Sequence, residues 1–125
     1  MSVVGVGIDV VEIDRARRIL DRHGERALAR FLLPDERNYV VSMADPAAHF
    51  AVRVAAKEAA YKALQSLDGM RAVSWHDLEV VRDGEGRPLL RRHGPAAALD
   101  PALTLHLSLT HTHLVASAVV VLSRG

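Results

Sequence analysis

The stretch RVAAKEAAYKA, from Arg53 to Ala63, decides how this chain folds. It is typical of a helix, and Glu58 and Lys62 lie four residues apart on it, so both side chains project from one face. The other residues of that face are small: Ala51, Ala55 and Ala59. A carboxylate and an ammonium group above a shallow surface could hold a divalent metal and a phosphate, or they could form a plain surface ion pair.

Length and composition limit the remaining possibilities. The 125 residues fit one domain, residues 1–125, and 50% of them are hydrophobic, which is enough for a core. The absence of cysteine excludes disulfides, thiolate zinc sites and cysteine nucleophiles, and it fits a reducing cytoplasm. No apolar run is long enough to span a membrane, and Asp9 interrupts the apolar N-terminus, so we expect neither a membrane partner nor a signal peptide.

The first half of the chain predicts one strand followed by helices. Val3 to Val10 is rich in valine and isoleucine, and Gly5 and Gly7 within it indicate that another element packs closely against the backbone. Ile13 to His23 is predicted to be a helix that Gly24 ends. Further helical segments follow: Glu25 to Leu32, a turn from Pro34, and a long helix capped by Asp45 that runs to about Leu67, where Asp68 and Gly69 end it.

The second half predicts strands. Trp75 to Arg82 and Pro88 to Arg91 flank the turn sequence Asp83-Gly84-Glu85-Gly86, which indicates a hairpin. A loop or short alanine-rich turn, two strands (Thr104 to Thr110 and Leu114 to Leu122) and a turn between them at residues 111–113 complete the chain. These elements favour the α+β class, with helices packed on one face of a mostly antiparallel sheet.

Two acidic residues far apart in sequence are candidates for a shared site. Asp9 is predicted at the end of the first strand, where it could cap the helix that follows. Alternatively, Asp9 and Glu58 could be two oxygen ligands for Mg²⁺, which favours few carboxylates together with waters and substrate phosphates.

Polar side chains also gather at the end of the predicted strand Thr104 to Thr110. Ser108, Thr110 and His111 could bind a phosphate, or they could be a solvated sheet face. His111 and His113 alternate as metal ligands sometimes do, but no third histidine or cysteine lies nearby, so we do not expect zinc.

Arg15, Arg18 and Arg22 form a basic stripe on the predicted helix Ile13 to His23. Such a stripe is most often a solvated face, but it can dock an acidic partner. The formal net charge of +1 and the 4% aromatic content do not favour nucleic acid as a partner.

Three motifs together resemble one family. Its N-terminal strand motif resembles residues 7–13, GIDVVEI. Its central helix motif resembles Arg53 with residues 55–63, AAKEAAYKA. Its C-terminal strand motif resembles residues 106–112, HLSLTHT. The family is the 4′-phosphopantetheinyl transferases, specifically the short bacterial holo-(acyl-carrier-protein) synthases. The resemblance covers nearly the whole chain, and Gly86-Arg87-Pro88 also resembles the family's Gly-Lys-Pro element.

The resemblance implies an activity and a set of roles. Members move the phosphopantetheine arm of coenzyme A onto a serine of apo acyl carrier protein, and adenosine 3′,5′-bisphosphate leaves. Asp9 and Glu58 then correspond to the Mg²⁺ ligands and Lys62 to the contact with the diphosphate, so these three are the expected catalytic residues. Substrate contacts are expected from Arg53, Lys62, Arg87, Pro88, Ser108, Thr110 and His111, and carrier-protein contacts from Arg15, Arg18 and Arg22.

The resemblance also implies an assembly. Larger relatives contain two copies of this fold with the site between them, so a single-copy chain is expected to form a homotrimer with active sites at its interfaces. The base that takes the serine proton stays open between Glu58, a metal-bound water and another carboxylate. Members often have glycine and phenylalanine where this chain has Val52 and Val54, and residues 66–70 replace a glycine-rich turn, so the adenine contacts are not implied.

Two other functions remain alternatives at this point. One is a different Mg²⁺-dependent phosphoryl-transfer enzyme or phosphodiesterase on the same fold. The other is a non-catalytic adaptor that binds acidic proteins or RNA through Arg15, Arg18 and Arg22.

Overall fold

The computed structural model describes residues 1–68 and 72–125. Its helices and strands are β1 (Ser2–Glu12), α1 (Ile13–His23), α2 (Glu25–Phe31), α3 (Pro34–Ser42), α4 (Pro46–Leu64), β2 (Leu78–Arg82), β3 (Pro88–Arg92), α5 (Gly94–Ala97), β4 (Leu103–His111) and β5 (Val115–Arg124). A short 3₁₀ turn, Trp75–Asp77, precedes β2. No helix within the described residues has the length and hydropathy that crossing a bilayer requires.

The strands form two antiparallel sheets. One has the order β1-β5-β4, and the other is the β2-β3 hairpin. The predicted α+β class, with helices on a mostly antiparallel sheet, is confirmed. The alternation predicted for β4 is also confirmed, because Leu105, Leu107 and Leu109 pack against the core while the residues between them are exposed.

The central helix α4 lies directly on β1. A side chain at Gly7 would collide with the carbonyl oxygen of Ala59, and one at Gly5 with that of Ala63, so only glycine lets the two backbones approach this closely. The close packing predicted from the glycines is therefore confirmed. Ala51, Ala55 and Ala59, the small residues of the face that carries Glu58 and Lys62, are fully buried.

Several predicted boundaries and one predicted role require correction. Asp9 does not cap α1, because pairing with β5 continues to Glu12 and Glu12 occupies the N-cap position. Residues 75–77 are a 3₁₀ turn rather than the start of a strand. Helix α4 ends at Leu64, about three residues before the predicted end. Gly69, predicted to end that helix, and Met70 lie outside the described residues.

A fully buried ion pair joins α4 to the helices before it. Lys57 donates to Glu36 at 2.7 Å and also to the carbonyl oxygens of Phe31 and Trp75. Glu36 in turn accepts from the backbone N–H of Val80. Since all these groups are paired, removing one charge would leave the other buried alone, at a cost of about 3–5 kcal/mol.

The sheet β1-β5-β4 buries only one of its faces. Helix α4 packs on all three strands from the core side. On the other side, Val6, Ile8 and Val10 of β1 are each about 60% exposed. Val119 and Val121 of β5 pair with Ile8 and Val6, so this outer apolar face continues across two strands.

Candidate active site

An acidic cluster forms where α4 crosses β1. Asp9 comes from β1, and Glu58 and Lys62 come from α4. The Lys62 ammonium group donates to the backbone carbonyl of Ile8 at 3.0 Å and to the Asp9 carboxylate at 3.2 Å. Within the described part of the chain, Lys62 makes no ion pair with Glu58 closer than 4 Å. The sequence alternative of a plain Glu58–Lys62 surface pair is therefore not what forms, since Lys62 bridges to the strand instead.

The Glu58 carboxyl lies in an electrostatically unfavourable position. Its pKa is raised, first by burial and then by the negative charge of Asp9, while Lys62 acts in the opposite direction. Two carboxylates that repel each other in this way suit a bound cation, which would relieve the repulsion. The described residues contain no group of three or more metal-ligating side chains, and two carboxylates are what Mg²⁺ uses when waters and phosphates complete its shell.

A cavity of about 350 Å³ opens beside this pair of carboxylates. Its charged lining residues are Asp9, Glu12, Arg15 and Glu58. Its apolar lining includes Ala16, Ile19, Phe31, Phe50 and Val54. The cavity therefore offers charged groups for phosphate chemistry together with apolar surface that an uncharged part of a substrate or partner can contact.

The basic stripe lies next to this cavity. Arg15, Arg18 and Arg22 are all exposed on α1 and line one shallow groove. Arg15 lines both the groove and the cavity, so the stripe leads directly to Glu58. Arg17, on the same helix, instead binds Asp45 at 2.9 Å.

A second, positively charged depression of about 190 Å³ lies elsewhere on the chain. Its lining brings together four of the predicted substrate-binding residues: Arg53, Pro88, Thr110 and His111. Arg53 is 3% exposed, its Nη1 donates to the carbonyl oxygen of His49, and its buried Nε has no partner among the described residues. A buried guanidinium group without a carboxylate partner fits an anion.

Two further residues of the depression, His49 and Arg82, were not predicted from the sequence. Burial lowers the pKa of His49, and the charges of Arg53, His111 and Arg82 lower it further. The spacing of His49 and Arg53, four residues apart on one helix, was available as a signal. Arg82 had no local signal, because the hairpin brings it to the site from β2.

Three predicted substrate residues lie outside the depression, and one of them, Lys62, belongs to the acidic cluster. Arg87 is engaged in the hairpin turn, where it pairs with Asp83 and Glu85. Ser108 lies on the exposed side of β4. Within the described residues, neither His111 nor His113 belongs to a group of three or more metal-ligating side chains.

The acidic cluster and the cationic depression lie on different sides of α4. A helix turns by about 100° per residue, so Glu58 is rotated by about 140° from Arg53, and Lys62 by about 180°. In agreement with this geometry, the cavity beside Glu58 and the depression beside Arg53 share no lining residue among those described.

The sequence model of the 4′-phosphopantetheinyl transferase superfamily matches residues 5–119. The chain belongs to this superfamily. A holo-[acyl-carrier-protein] synthase of Koribacter versatilis is 44% identical over 124 residues, which cover 96% of this chain and 98% of that protein.

Solved structures of the superfamily have the same fold. The holo-(acyl-carrier-protein) synthase of Bacillus anthracis, in complex with CoA (3′,5′-ADP), superposes with a TM-score of 0.80 at 34% identity and covers 98% of both chains. The Helicobacter pylori holo-[acyl-carrier-protein] synthase in complex with coenzyme A has a TM-score of 0.80 at 32% identity, covering 94% of this chain and 99% of that one. The family predicted from the three sequence motifs is thus confirmed.

Proposed function

We propose that this member of the superfamily is a holo-(acyl-carrier-protein) synthase. It transfers the 4′-phosphopantetheine group of coenzyme A to a serine of apo acyl carrier protein and releases adenosine 3′,5′-bisphosphate. The observation that carries this proposal is the convergence of Asp9, Glu58 and Lys62 beside a cavity, in a chain whose relatives bear that name and are seen with coenzyme A.

The reaction is an in-line displacement at phosphorus. The serine oxygen of the carrier protein forms a bond with the β-phosphorus, and the bond to the bridging oxygen breaks as its electron pair leaves with the 5′-phosphate of the nucleotide. Catalysis of such a step consists mostly of positioning and charge neutralisation. Lys62, half exposed and held at Asp9, would place a positive charge beside the diphosphate. The partner supplies the nucleophile, so this chain needs none.

Asp9 and Glu58 would hold the Mg²⁺ ion that we propose as cofactor, and their mutual repulsion supports that assignment. When bound, Mg²⁺ supplies charge neutralisation at the diphosphate.

The basic stripe is proposed to dock the carrier protein. Acyl carrier proteins are typically acidic, and Arg15, Arg18 and Arg22 provide the complementary charge on an exposed helix. Because Arg15 borders the cavity, a partner on α1 would have its serine close to the acidic cluster.

We further propose a homotrimer in which each active site is shared by two copies. Two observations support this. The acidic cluster and the cationic depression lie on different sides of α4, so a second copy would have to bring its Arg53 and His111 to the first copy's Asp9 and Glu58. The outer apolar face of Val6, Ile8 and Val10 offers a surface through which copies could pack.

We also propose that residues 1–125 act as one domain in the cytoplasm, where the protein meets coenzyme A and the carrier protein. Carrier proteins with this arm serve acyl-chain synthesis, so the pathway class is fatty-acid biosynthesis or related lipid metabolism.

Intact-protein mass spectrometry tests the function. Apo acyl carrier protein is incubated with this chain, coenzyme A and Mg²⁺. We expect a gain of one phosphopantetheine, which chelation of Mg²⁺ prevents. Cleavage of coenzyme A without any carrier protein would indicate a phosphodiesterase, and binding of the carrier protein without any gain in mass would indicate an adaptor.

A further inference from the structure

Glu12 is a third carboxylate in the cavity that Asp9 and Glu58 line. It lies where β1 ends and α1 begins, three residues after Asp9 and three before Arg15. Pairing of β1 with β5 continues to Glu12 itself, so its backbone is held in place. The Glu12 side chain therefore starts from a fixed point between the acidic cluster and the basic stripe.

Helix capping does not account for Glu12. The residue occupies the N-cap position of α1, where serine, threonine, aspartate and asparagine are preferred, and its side chain makes no capping hydrogen bond. Glu12 is exposed, and it makes no ion pair closer than 4 Å with any residue in 1–68 or 72–125. Attraction to the positive end of α1 contributes only about 0.3–1 kcal/mol at an exposed position. A substitution of Glu12 should therefore leave the fold intact.

A docking role does not account for Glu12 either. The basic stripe is proposed to attract an acidic carrier protein, and a carboxylate three residues before Arg15 opposes that attraction. A neutral side chain at this position would favour docking. The negative charge of Glu12 therefore works against the binding step.

The arrangement also separates Glu12 from the two proposed metal ligands. No group of three or more metal-ligating side chains occurs among the described residues, so Glu12 does not join Asp9 and Glu58 as a third ligand. Three residues of extended strand place its Cα atom about 10 Å from that of Asp9. This spacing leaves room between the two carboxylates for a phosphate and for the hydroxyl group that attacks it.

We propose that Glu12 is the general base that takes the proton from the serine of the carrier protein. The inference rests on the proposed function, which supplies the serine and the diphosphate. As the serine oxygen bonds to the β-phosphorus, the hydroxyl proton moves to a Glu12 carboxylate oxygen, and the electron pair of the broken P–O bond leaves with the 5′-phosphate. Glu12 then passes the proton to solvent, because the residue is exposed.

Steady-state kinetics of Glu12→Gln separate catalysis from docking. The variant keeps the shape of the side chain but cannot take up the proton. We expect kcat to fall about 100-fold. KM for the carrier protein should fall or stay unchanged, since a repulsive charge is removed. Glu12→Asp keeps a carboxylate and should retain more activity than Glu12→Gln. Asp14→Asn is the control, because it removes an exposed negative charge of α1 that does not line the cavity, and it should keep the kcat of the parent.

Two further measurements distinguish a base from a metal ligand. The Mg²⁺ concentration that gives half the maximal rate should stay within about twofold of the parent's in Glu12→Gln, whereas Glu58→Gln should raise it about tenfold or more. Glu12→Ala leaves space for a small carboxylate, so added formate should raise its turnover about tenfold. Formate should not activate Glu12→Gln, because the glutamine side chain fills that space.

The outcomes separate the inference from the function beneath it. If the parent modifies carrier protein but Glu12→Gln keeps kcat within about threefold, the base assignment is overturned and the function stands. The assignment is also overturned if formate activates Glu12→Ala no more than Glu12→Gln, or if Glu12→Gln and Glu58→Gln raise the Mg²⁺ requirement equally. If the parent modifies no carrier protein, the proposed function and the inference both fail. Circular dichroism of each variant verifies that it is folded.

Discussion

The two charged regions on either side of α4 are built in opposite ways. In the acidic cluster, Lys62 has 49% of its side chain exposed and reaches Asp9 through a single charged contact, so it can move toward a ligand. In the cationic depression, Arg53 is almost fully buried and is held by a carbonyl oxygen and an aromatic ring. Under the proposed function, the depression would be a preformed anchor for an anion, whereas the cluster would adjust its charges during phosphoryl transfer.

The largest effect is expected at the acidic cluster. Glu58→Gln should lower turnover by about 100-fold or more, because the variant loses one of the two proposed Mg²⁺ ligands and its negative charge. Asp9→Asn should act in the same way. Steady-state kinetics in excess Mg²⁺ measure both, and turnover within tenfold of the parent would refute the ligand assignment.

Glu58→Gln should also make the metal-free protein more stable. The pKa of Glu58 is raised in the folded state, so its ionised form costs stability at every pH above that value, and the glutamine carries no such cost. We expect Glu58→Gln to have a higher melting temperature than the parent at pH 7.5 without Mg²⁺. A lower melting temperature would mean that the carboxylate stabilises the fold and is not strained.

Disrupting the outer apolar face should separate the copies, and each acidic cluster would then lose the cationic depression of its neighbouring copy. Ile8→Glu places a charge in the proposed contact between copies, so we expect a monomer by light scattering and a loss of turnover of about 100-fold. Val41→Glu is the control, since Val41 is an exposed valine on α3 away from this face. If the parent protein is monomeric at micromolar concentration and fully active, the proposed homotrimer is wrong.

A smaller effect is expected at the basic stripe. Arg15→Glu or Arg18→Glu should raise KM for carrier protein by about three- to tenfold, with little change in KM for coenzyme A, because steering acts on the acidic partner. Arg124→Glu serves as the matched charge control. Equal changes in the two KM values would remove the docking role.

The smallest effect concerns His49 at the cationic depression. Its pKa is lowered in the folded state, so below its usual value near 6.5 the unfolded chain takes up a proton that the folded chain resists. Stability should therefore fall as the pH drops from 7.5 to 5.5, and it should fall less steeply in His49→Asn. Melting curves across this range measure the difference. If the melting temperature depends equally steeply on pH in the parent and in His49→Asn, the folded state does not resist protonation of His49.

The sequence predicted the elements and the family well, because the signals were local. Glycines in β1, the alternation in β4 and the turn Asp83–Gly86 each constrain neighbouring residues, and the structure confirms all three. The predicted helix-cap role of Asp9 failed because pairing of Val10 and Val11 with β5 extends the strand past it.

Long-range partners could not be predicted in this way. Lys57 and Lys62 look alike in the motif, yet one is buried against Glu36 and the other is exposed at Asp9, and only the tertiary structure separates them. Tyr39 and Arg82 are likewise more than forty residues apart in sequence and meet only in the fold. Their contact is cation–π, which leaves no pattern in a single chain.

Subunit complementation tests the central claim, that the two regions form one site only between neighbouring copies. A chain with Glu58→Gln, whose acidic cluster is disrupted, is co-expressed with a chain with Arg53→Gln, whose cationic depression is disrupted. Each variant alone is expected to be inactive. In a randomly mixed trimer, each site takes one region from each of two neighbours, so about one site in four is intact and about a quarter of parental turnover should return. No recovery in verified mixed assemblies would contradict the account and place the whole site within a single chain.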